Sequence, residues 1–157
     1  MALAADARGV LTSCASCGRA NRLKYSSLDR ATRCGQCHAG LSPLSAPADV
    51  PSAAVFDALL AQTSVPVVVD FWAPWCAPCR TMAPEVEKAA RAMSGAALVV
   101  KVDTEAVPEL GERYAIRSIP TLAVFRHGRE VTRASGARPA AAIQALVSQA
   151  PAASTAP

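Results

Sequence analysis

The feature that most constrains the fold is a thirteen-residue run from Val67 to Cys79. It begins as an apolar strand that ends at Trp72 and carries a single acid, Asp70, in its interior. Two cysteines, Cys76 and Cys79, follow in a C-x-x-C spacing, and the residues after them have the apolar spacing of a helix. The run therefore predicts an α/β unit in which the first cysteine stands where a strand gives way to a helix.

The start of a helix favours a reactive thiolate at the first of the two cysteines. Free N–H groups and the helix dipole favour a negative thiolate at Cys76. A thiolate attacks disulfides, and Cys79, one turn later, can close a ring with it. Pro78 fixes a backbone angle between them and stiffens that ring. We expect dithiol–disulfide exchange, with Cys76 as the attacking thiol and Cys79 as the resolving thiol.

Asp70 is the candidate proton carrier for this exchange. Burial in an apolar strand raises the pKa of a carboxyl group, which would let Asp70 act as a general base near neutral pH. Lys101 lies inside the neighbouring apolar strand, from Leu98 to Val102, and could pair with Asp70. The alternative is that Asp70 is a structural polar residue at a strand end.

Ile119 and Pro120 precede a further predicted strand, Thr121 to Phe125. A cis bond between them would bring a backbone edge beside the two thiols. An ordinary trans proline that opens a strand fits the sequence equally well, so the sequence leaves both states open.

The other four cysteines form two more C-x-x-C pairs, sixteen residues apart: Cys14, Cys17, Cys34 and Cys37. This spacing is typical of a structural zinc site, in which four thiolates fill a tetrahedral shell and leave no position open for catalysis. A segment this short buries little apolar surface, so we expect Zn²⁺ to supply its folding energy.

Three alternatives to zinc remain open for this quartet. The same four cysteines could bind iron as a tetrathiolate, or they could form two disulfides. The run from Cys34 to His38 also matches the C-x-x-C-H pattern of haem attachment, but that would leave Cys14 and Cys17 unexplained. His38 is expected to be a bystander, because four cysteines already complete the shell.

The net charge of +4 lies wholly in residues 1–45, which hold six basic and two acidic residues against ten of each in 46–157. This basic segment could attract an acidic partner or nucleic acid, or its cations could offset the −2 charge of a zinc tetrathiolate. Tyr25 is the only aromatic residue in 12–44, which argues against stacking on nucleic acid.

Neither a membrane span nor a secretory signal is predicted. No apolar run approaches 18 residues, and residues 1–13 lack the charged start and apolar centre of a signal peptide. We expect a cytoplasmic protein.

The predicted domain organisation has five parts. Beyond the quartet the elements alternate in the order α-β-α-β-α-β-β-α, which predicts an α/β fold with a mixed sheet flanked by helices. Two prolines in residues 45–51 predict a linker without regular structure. The boundaries are an extension at 1–11, a zinc-binding domain at 12–44, the linker at 45–51, the α/β domain at 52–150 and a disordered tail at 151–157.

From about residue 52 to residue 150 the chain resembles the thioredoxin family. The motifs that carry the resemblance are the run from Asp70 to Cys79, the helix proline Pro84, the segment from Arg117 to Thr121, and Gly136. The resemblance implies a cis Pro120, a proton exchanged between Asp70 and Cys79, and an apolar substrate surface. That surface comprises Trp75, Ala77, Pro78, Ile119, Pro120 and Gly136.

The resemblance also implies partners: disulfide-containing client proteins and a flavin reductase that uses NADPH. Ala77 stands where the family usually has glycine, which puts the redox potential in doubt. A cysteine quartet ahead of such a domain is similar to the zinc-containing thioredoxin 2 subfamily of bacteria. The alternative function is a redox-regulated zinc-ribbon module or holdase that binds client protein or nucleic acid.

Overall fold

One mixed sheet runs through both halves of the chain. The structure, a computed structural model, describes residues 2–41 and 44–151. Its eight-stranded sheet has the order β10-β9-β7-β8-β6-β1-β2-β3, and β4 and β5 form a separate hairpin. The strands are β1 Leu3–Asp6, β2 Gly9–Ser13, β3 Ala20–Lys24, β4 Thr32–Arg33, β5 Gly40–Leu41, β6 Ala48–Asp49, β7 Val67–Trp72, β8 Leu98–Asp103, β9 Thr121–Arg126 and β10 Arg129–Ser135.

Four α-helices flank this sheet: α1 Ala53–Gln62, α2 Ala77–Ala92, α3 Pro108–Arg113 and α4 Ala140–Ser148. The order predicted for the second half is confirmed. Ser52 caps α1, because its hydroxyl accepts a hydrogen bond from the Val55 N–H at 3.2 Å. Pro84 lies inside α2. Pro139 precedes α4 as its N-cap.

The strand β7 lies at the centre of the catalytic half. It pairs in parallel with β8 and antiparallel with β9. Because side chains alternate along a strand, Val67, Val69 and Phe71 pack into the core that contains residues of α1 and α3. Val68 packs on the opposite face, against α2 and α4. Asp70 shares the face of Val68, so it lies on the side of the sheet that α2 covers.

The prediction that residues 45–51 lack regular structure is wrong at β6. Ala48–Asp49 pairs in parallel with both β1 and β8 and joins the N-terminal strands to the rest of the sheet. Two residues are too few to show a periodicity, and the flanking prolines conceal the strand. The predicted extension at 1–11 likewise contains β1 and the start of β2.

The N-terminal strands also share a core with the second half. Tyr25 and Leu28 belong to the same buried cluster as Phe56 and Leu59 of α1. The Tyr25 hydroxyl donates to the Asp6 carbonyl at 2.7 Å, and the Tyr25 carbonyl accepts from the Ser64 N–H at 3.2 Å. Burial, with a smaller effect of the nearby Asp6 charge, raises the pKa of Tyr25 to about 12. The segment around Tyr25 and Leu28 is therefore packed against α1.

Two expectations concern the membrane and the tail. Among the residues that the structure describes, no helix has both the length and the apolar character needed to cross a bilayer. The tail predicted to be disordered lies, from residue 152 onward, outside the described residues.

Because the core is shared, we predict that a substitution at Tyr25 lowers the stability of the catalytic half as well. We expect Tyr25→Ala to lower the free energy of unfolding by about 3–5 kcal/mol because it leaves a cavity. Tyr25→Phe should cost only about 1 kcal/mol, since it removes one hydrogen bond. Both tryptophans, Trp72 and Trp75, lie in the second half, so urea unfolding followed by their fluorescence reports on that half. A tryptophan transition that Tyr25→Ala does not move would show that the two halves unfold independently.

Candidate active site and metal centre

The two cysteines of the central motif form a disulfide at the start of α2. Cys76 is the N-cap of that helix and Cys79 lies in its first turn, with 5.2 Å between their Cα atoms. The Cys79 N–H donates to the Cys76 sulfur at 3.2 Å. This amide and the helix dipole favour a negative charge on Cys76 when the disulfide is reduced.

An exposed surface surrounds the disulfide. Trp75 beside it is 66% exposed although it is a large apolar side chain, and Ala77 and Pro78 are exposed too. The Ile119–Pro120 peptide bond is cis, and the Ile119 carbonyl oxygen lies 3.8 Å from the Cys76 sulfur. The helix start and the segment before β9 therefore meet at the sulfur.

Gly136, just after the end of β10, is hydrogen-bonded to the cis proline. Its N–H donates to the Pro120 carbonyl at 2.9 Å, and its φ of 95° falls where side chains are rarely accepted. Beside Trp75 a groove of about 600 Å³ extends between Thr104, Gly111 and Ile119. The Trp75 indole N–H donates to Glu105 at 2.8 Å and holds the ring at the edge of this groove.

Asp70 is buried without a full set of hydrogen bonds. It is 1% exposed, and its Oδ1 has no hydrogen-bond partner within the described part of the chain. Burial raises the pKa of this carboxyl group to about 7, although the Lys101 charge opposes the rise. A group that titrates near neutral pH can both accept and return a proton, which is the property that a carrier for the buried Cys79 needs.

Lys101 lies directly beside Asp70 in the sheet. The two residues are register partners between β7 and β8, and the Lys101 ammonium sits 4.4 Å from the centre of the Trp72 ring. Asp49 of β6 is the register partner of Lys101 on its other side. Although Asp49 keeps exposed surface, partial burial raises its pKa while Lys101 lowers it. One ammonium thus lies between two carboxylates.

The N-terminal quartet forms a second centre, built from two similar turns. We call residues 14–19 the first knuckle and residues 34–39 the second knuckle. In each, the first cysteine N–H donates to the carbonyl five residues later, and its own carbonyl accepts from the N–H four residues later, at 2.8–3.1 Å. Gly18 and His38 hold equivalent left-handed positions in the two knuckles, with φ of 76° and 62°.

The four sulfurs of the quartet are close enough to share one metal ion. All lie within 4.8 Å of one another. Cys14 and Cys37 sulfurs are 3.7 Å apart, and Cys17 and Cys34 sulfurs are 3.6 Å apart. A tetrahedral ion with bonds of about 2.3 Å to sulfur requires sulfur separations of about 3.8 Å. The quartet therefore matches the geometry of a tetrathiolate centre. His38 lies beside it as the left-handed residue of the second knuckle and is not one of the four clustered ligands.

The pKa values of these thiols indicate that a bound cation would be needed for all four to be ionised. The N–H groups of Cys37 and Gln36 lower the pKa of Cys34 to about 6. At Cys17 the Arg19 N–H lowers the pKa, but desolvation and the neighbouring cysteines outweigh it and raise the pKa to about 11. Four thiolates at these distances repel one another, so they need a positive ion to ionise together.

Comparison with known proteins identifies the family. The thioredoxin family model matches residues 47–149. Thioredoxin C-3 of Corynebacterium nephridii is 40% identical over 124 residues, which cover 79% of this chain and 83% of that protein. Thioredoxin 1 of Synechococcus elongatus is 49% identical over 92 residues, 56% of this chain and 86% of that one. The solved Plasmodium falciparum thioredoxin superposes with a TM-score of 0.59 at 35% identity, covering 64% of this chain and 96% of the other.

The chain belongs to the thioredoxin family. As a thioredoxin it is a thiol–disulfide oxidoreductase, which agrees with the dithiol pair at the helix start. The predicted α/β fold with a mixed sheet is confirmed. Of the predicted site residues of the second half, Trp75, Ala77 and Pro78 flank the disulfide in the chain, and Ile119 contacts the Cys76 sulfur. Gly136 contacts Pro120, whereas Asp70 and Lys101 are register partners in β7 and β8.

Three functional neighbours were missed by sequence reasoning: Glu105, Asp49 and Asn21. Glu105 and Asp49 are ordinary surface acids in the sequence, and only the fold places them beside Trp75 and Lys101. Asn21 lies in an unremarkable polar stretch between the two C-x-x-C pairs. Its position a few residues after a cysteine turn was a weak signal that it borders the cysteine quartet.

The buried carboxyl predicts an unusual pH dependence of stability. Because folding raises the pKa of Asp70 from 3.8 to about 7, its charge destabilises the folded state as the pH rises through that interval. In the oxidised protein, where Cys76 and Cys79 do not titrate, Asp70→Asn should be more stable than wild type at pH 8. The difference is expected to be on the order of 4 kcal/mol and to vanish near pH 4.

Asp57→Asn is the matched control, because Asp57 is an exposed carboxylate paired with Arg113 at 2.6 Å. Urea unfolding between pH 4 and pH 8 measures all three proteins. A stability difference between wild type and Asp70→Asn that stays constant with pH would show that Asp70 has an ordinary pKa.

Proposed function

We propose that this thioredoxin is a protein-disulfide reductase of the reducing cytoplasm, with Cys76 as attacking thiol and Cys79 as resolving thiol. The observation that carries the assignment is the unequal setting of the two sulfurs. Cys76 is the N-cap of α2, beside the exposed Trp75 and the Ile119 carbonyl, whereas Cys79 lies within the first turn. The Cys79 N–H points at the Cys76 sulfur and favours a thiolate there, so the first sulfur is the better nucleophile.

The reaction proceeds in two exchanges that balance. The Cys76 thiolate attacks one sulfur of a client disulfide, and the other client sulfur leaves as a thiolate. Cys79, once deprotonated, attacks the Cys76 sulfur of the mixed disulfide. The client leaves as a dithiol, reduced by two electrons, and the Cys76–Cys79 disulfide forms. A flavin reductase that uses NADPH then returns two electrons to this disulfide.

We assign proton transfer to Asp70, with Lys101 as its electrostatic partner. Asp70 lies on the face of β7 that α2 covers, and α2 carries Cys79. Its pKa near 7 suits removal of a proton from Cys79 during the second exchange. Lys101, the register partner of Asp70, stabilises the carboxylate and keeps the pKa from rising further.

The substrate surface that we propose consists of Trp75, Ala77, Pro78, Ile119, Pro120 and Gly136. Trp75 offers a broad apolar face, and the backbone at Ile119 and Gly136 offers polar groups to an extended client segment. The occupants of this surface are disulfide-containing proteins and the reductase.

The quartet is proposed to hold a structural Zn²⁺ through Cys14, Cys17, Cys34 and Cys37. The sulfur separations support four-coordinate binding, and all four positions are taken by protein. When bound, the ion neutralises the thiolates and ties the two knuckles together. With this centre, we propose that the chain is a member of the zinc-containing bacterial thioredoxin 2 subfamily. In support, the alignment with the Corynebacterium protein is 124 residues long, which is more residues than 47–157 contains. The alignment therefore extends into the N-terminal segment.

We also propose that residues 12–44 form the metal unit and residues 52–150 the catalytic unit, with β1 and β6 linking the two units.

Exchange of each cysteine for serine tests the assigned roles. Cys76→Ser should reduce the rate of insulin-disulfide reduction by about 100-fold or more, because the nucleophile is gone. Cys79→Ser should instead accumulate a mixed disulfide with insulin, which non-reducing electrophoresis and mass spectrometry detect. Turnover by Cys76→Ser, or trapping by that variant rather than by Cys79→Ser, would reverse the assignment.

Metal analysis of the full chain tests the quartet. We expect about one Zn²⁺ per chain, retained in a Cys76→Ser/Cys79→Ser double variant and lost when Cys14 and Cys34 are replaced by serine. Peroxide should release the ion and form disulfides between the nearest sulfurs, Cys14–Cys37 and Cys17–Cys34, as read by peptide mapping. Iron bound in place of zinc, or disulfides in the freshly purified protein, would favour the other states of the quartet.

A further inference from the structure

The side chain of Asn21 bridges the two knuckles. Its residue lies in β3, just beyond the first knuckle, yet two of its contacts are with the second. The Asn21 carbonyl oxygen accepts from the Gly35 N–H at 3.0 Å. The Asn21 amide nitrogen donates to the Arg19 carbonyl at 2.9 Å and contacts the Cys34 sulfur at 3.5 Å. One amide group thus contacts both turns that carry the cysteines.

The hydrogen bonds fix the orientation of this amide. The Gly35 N–H can only donate, so the group that faces it has to be the Asn21 oxygen. The NH₂ group is then the part that faces Arg19 and Cys34, where it meets a carbonyl oxygen and a sulfur that both accept. The opposite orientation would set two donors against each other at Gly35.

These contacts make Cys34 the sulfur with the most donors directed at it. Besides Asn21, the Gln36 N–H donates to it at 3.4 Å. Cys34 is also buried, in contrast to the exposed Cys17 and Cys37. Donors to a ligand sulfur disperse its charge and hold it at a fixed position, which is the role of the groups that surround the ligands of a metal.

From these contacts we infer that Asn21 is a positioning residue of the metal centre: it holds the second knuckle against the first and shields the Cys34 sulfur. The inference rests on the proposed metal centre. Asn21 itself binds no metal, since it reaches the ion only through Cys34 and through the backbone at Gly35. Its loss should therefore weaken metal binding without removing a ligand.

Two substitutions separate the functions of the amide. Asn21→Ala removes both the acceptor for Gly35 and the donor to Cys34. Asn21→Asp keeps the acceptor, so the contact with the second knuckle survives, but it replaces the donor with a negative charge beside a thiolate. Gln36→Ala is the matched control: it is also a polar side chain beside a ligand, but its backbone N–H makes the contact and remains.

The measurements use the full-length protein and the metal alone. Competition with a chromophoric chelator gives the Zn²⁺ dissociation constant, which should rise about 10- to 100-fold for Asn21→Ala and stay at the wild-type value for Gln36→Ala. Titration with Co²⁺ reports the sulfur-to-metal charge-transfer band. This band should shift in Asn21→Asp, because the donor to one ligand sulfur is replaced by a carboxylate. Insulin reduction by each variant checks that the catalytic half is folded.

The outcomes distinguish the inference from the metal proposal itself. A wild-type chain that binds neither ion would overturn the metal centre. A wild-type chain that binds Zn²⁺ tightly, with Asn21→Ala at the same dissociation constant and Asn21→Asp at an unchanged charge-transfer band, would overturn the role of Asn21. If Asn21→Ala loses insulin reduction as well, Asn21→Asp, which retains the Gly35 contact, decides the question by its spectrum and its Zn²⁺ affinity.

Discussion

The structure depends on the full pairing of β7 from both sides. This strand is bonded along its length to β8 and β9, and its odd and even residues fill the two cores of the sheet. Such burial removes Asp70 from bulk solvent, and the chain after the strand leads Cys76 to the start of α2. The raised pKa of the acid and the position of the first thiol at the helix start thus share one cause, the central position of a short apolar strand.

The N-terminal segment that carries the cysteine quartet is attached to the catalytic half through backbone pairing as well as through a shared core. Strand β6 is only two residues long, yet it pairs with β1 on one side and β8 on the other. Its Asp49 faces Lys101, which faces Asp70, so three neighbouring strands carry alternating charges in one row. An N-terminal unit joined in this way is part of the support of the active site, even though it supplies no sulfur to the reaction.

Much of the site was predictable because its signals are local. The C-x-x-C spacing, the acid inside an apolar strand and the sixteen-residue gap between cysteine pairs each depend on residues near one another in the chain. The cis state of Pro120 was left open by the residues alone, because both isomers suit a proline ahead of a strand. The pairing of Trp75 with Glu105 was not foreseen, since thirty residues separate them and no pattern marks the acid.

By itself, the sequence determined the chemistry: which cysteines exchange electrons, which four can share a metal and which acid is buried. Residue type and short spacing decide these properties before the chain folds. Only the tertiary structure decided that β6 joins the sheet, that Tyr25 packs beside α1 and that Asn21 bridges the two knuckles. Those contacts join residues far apart in sequence, and their energy comes from surfaces and hydrogen bonds that exist only when the whole sheet has assembled.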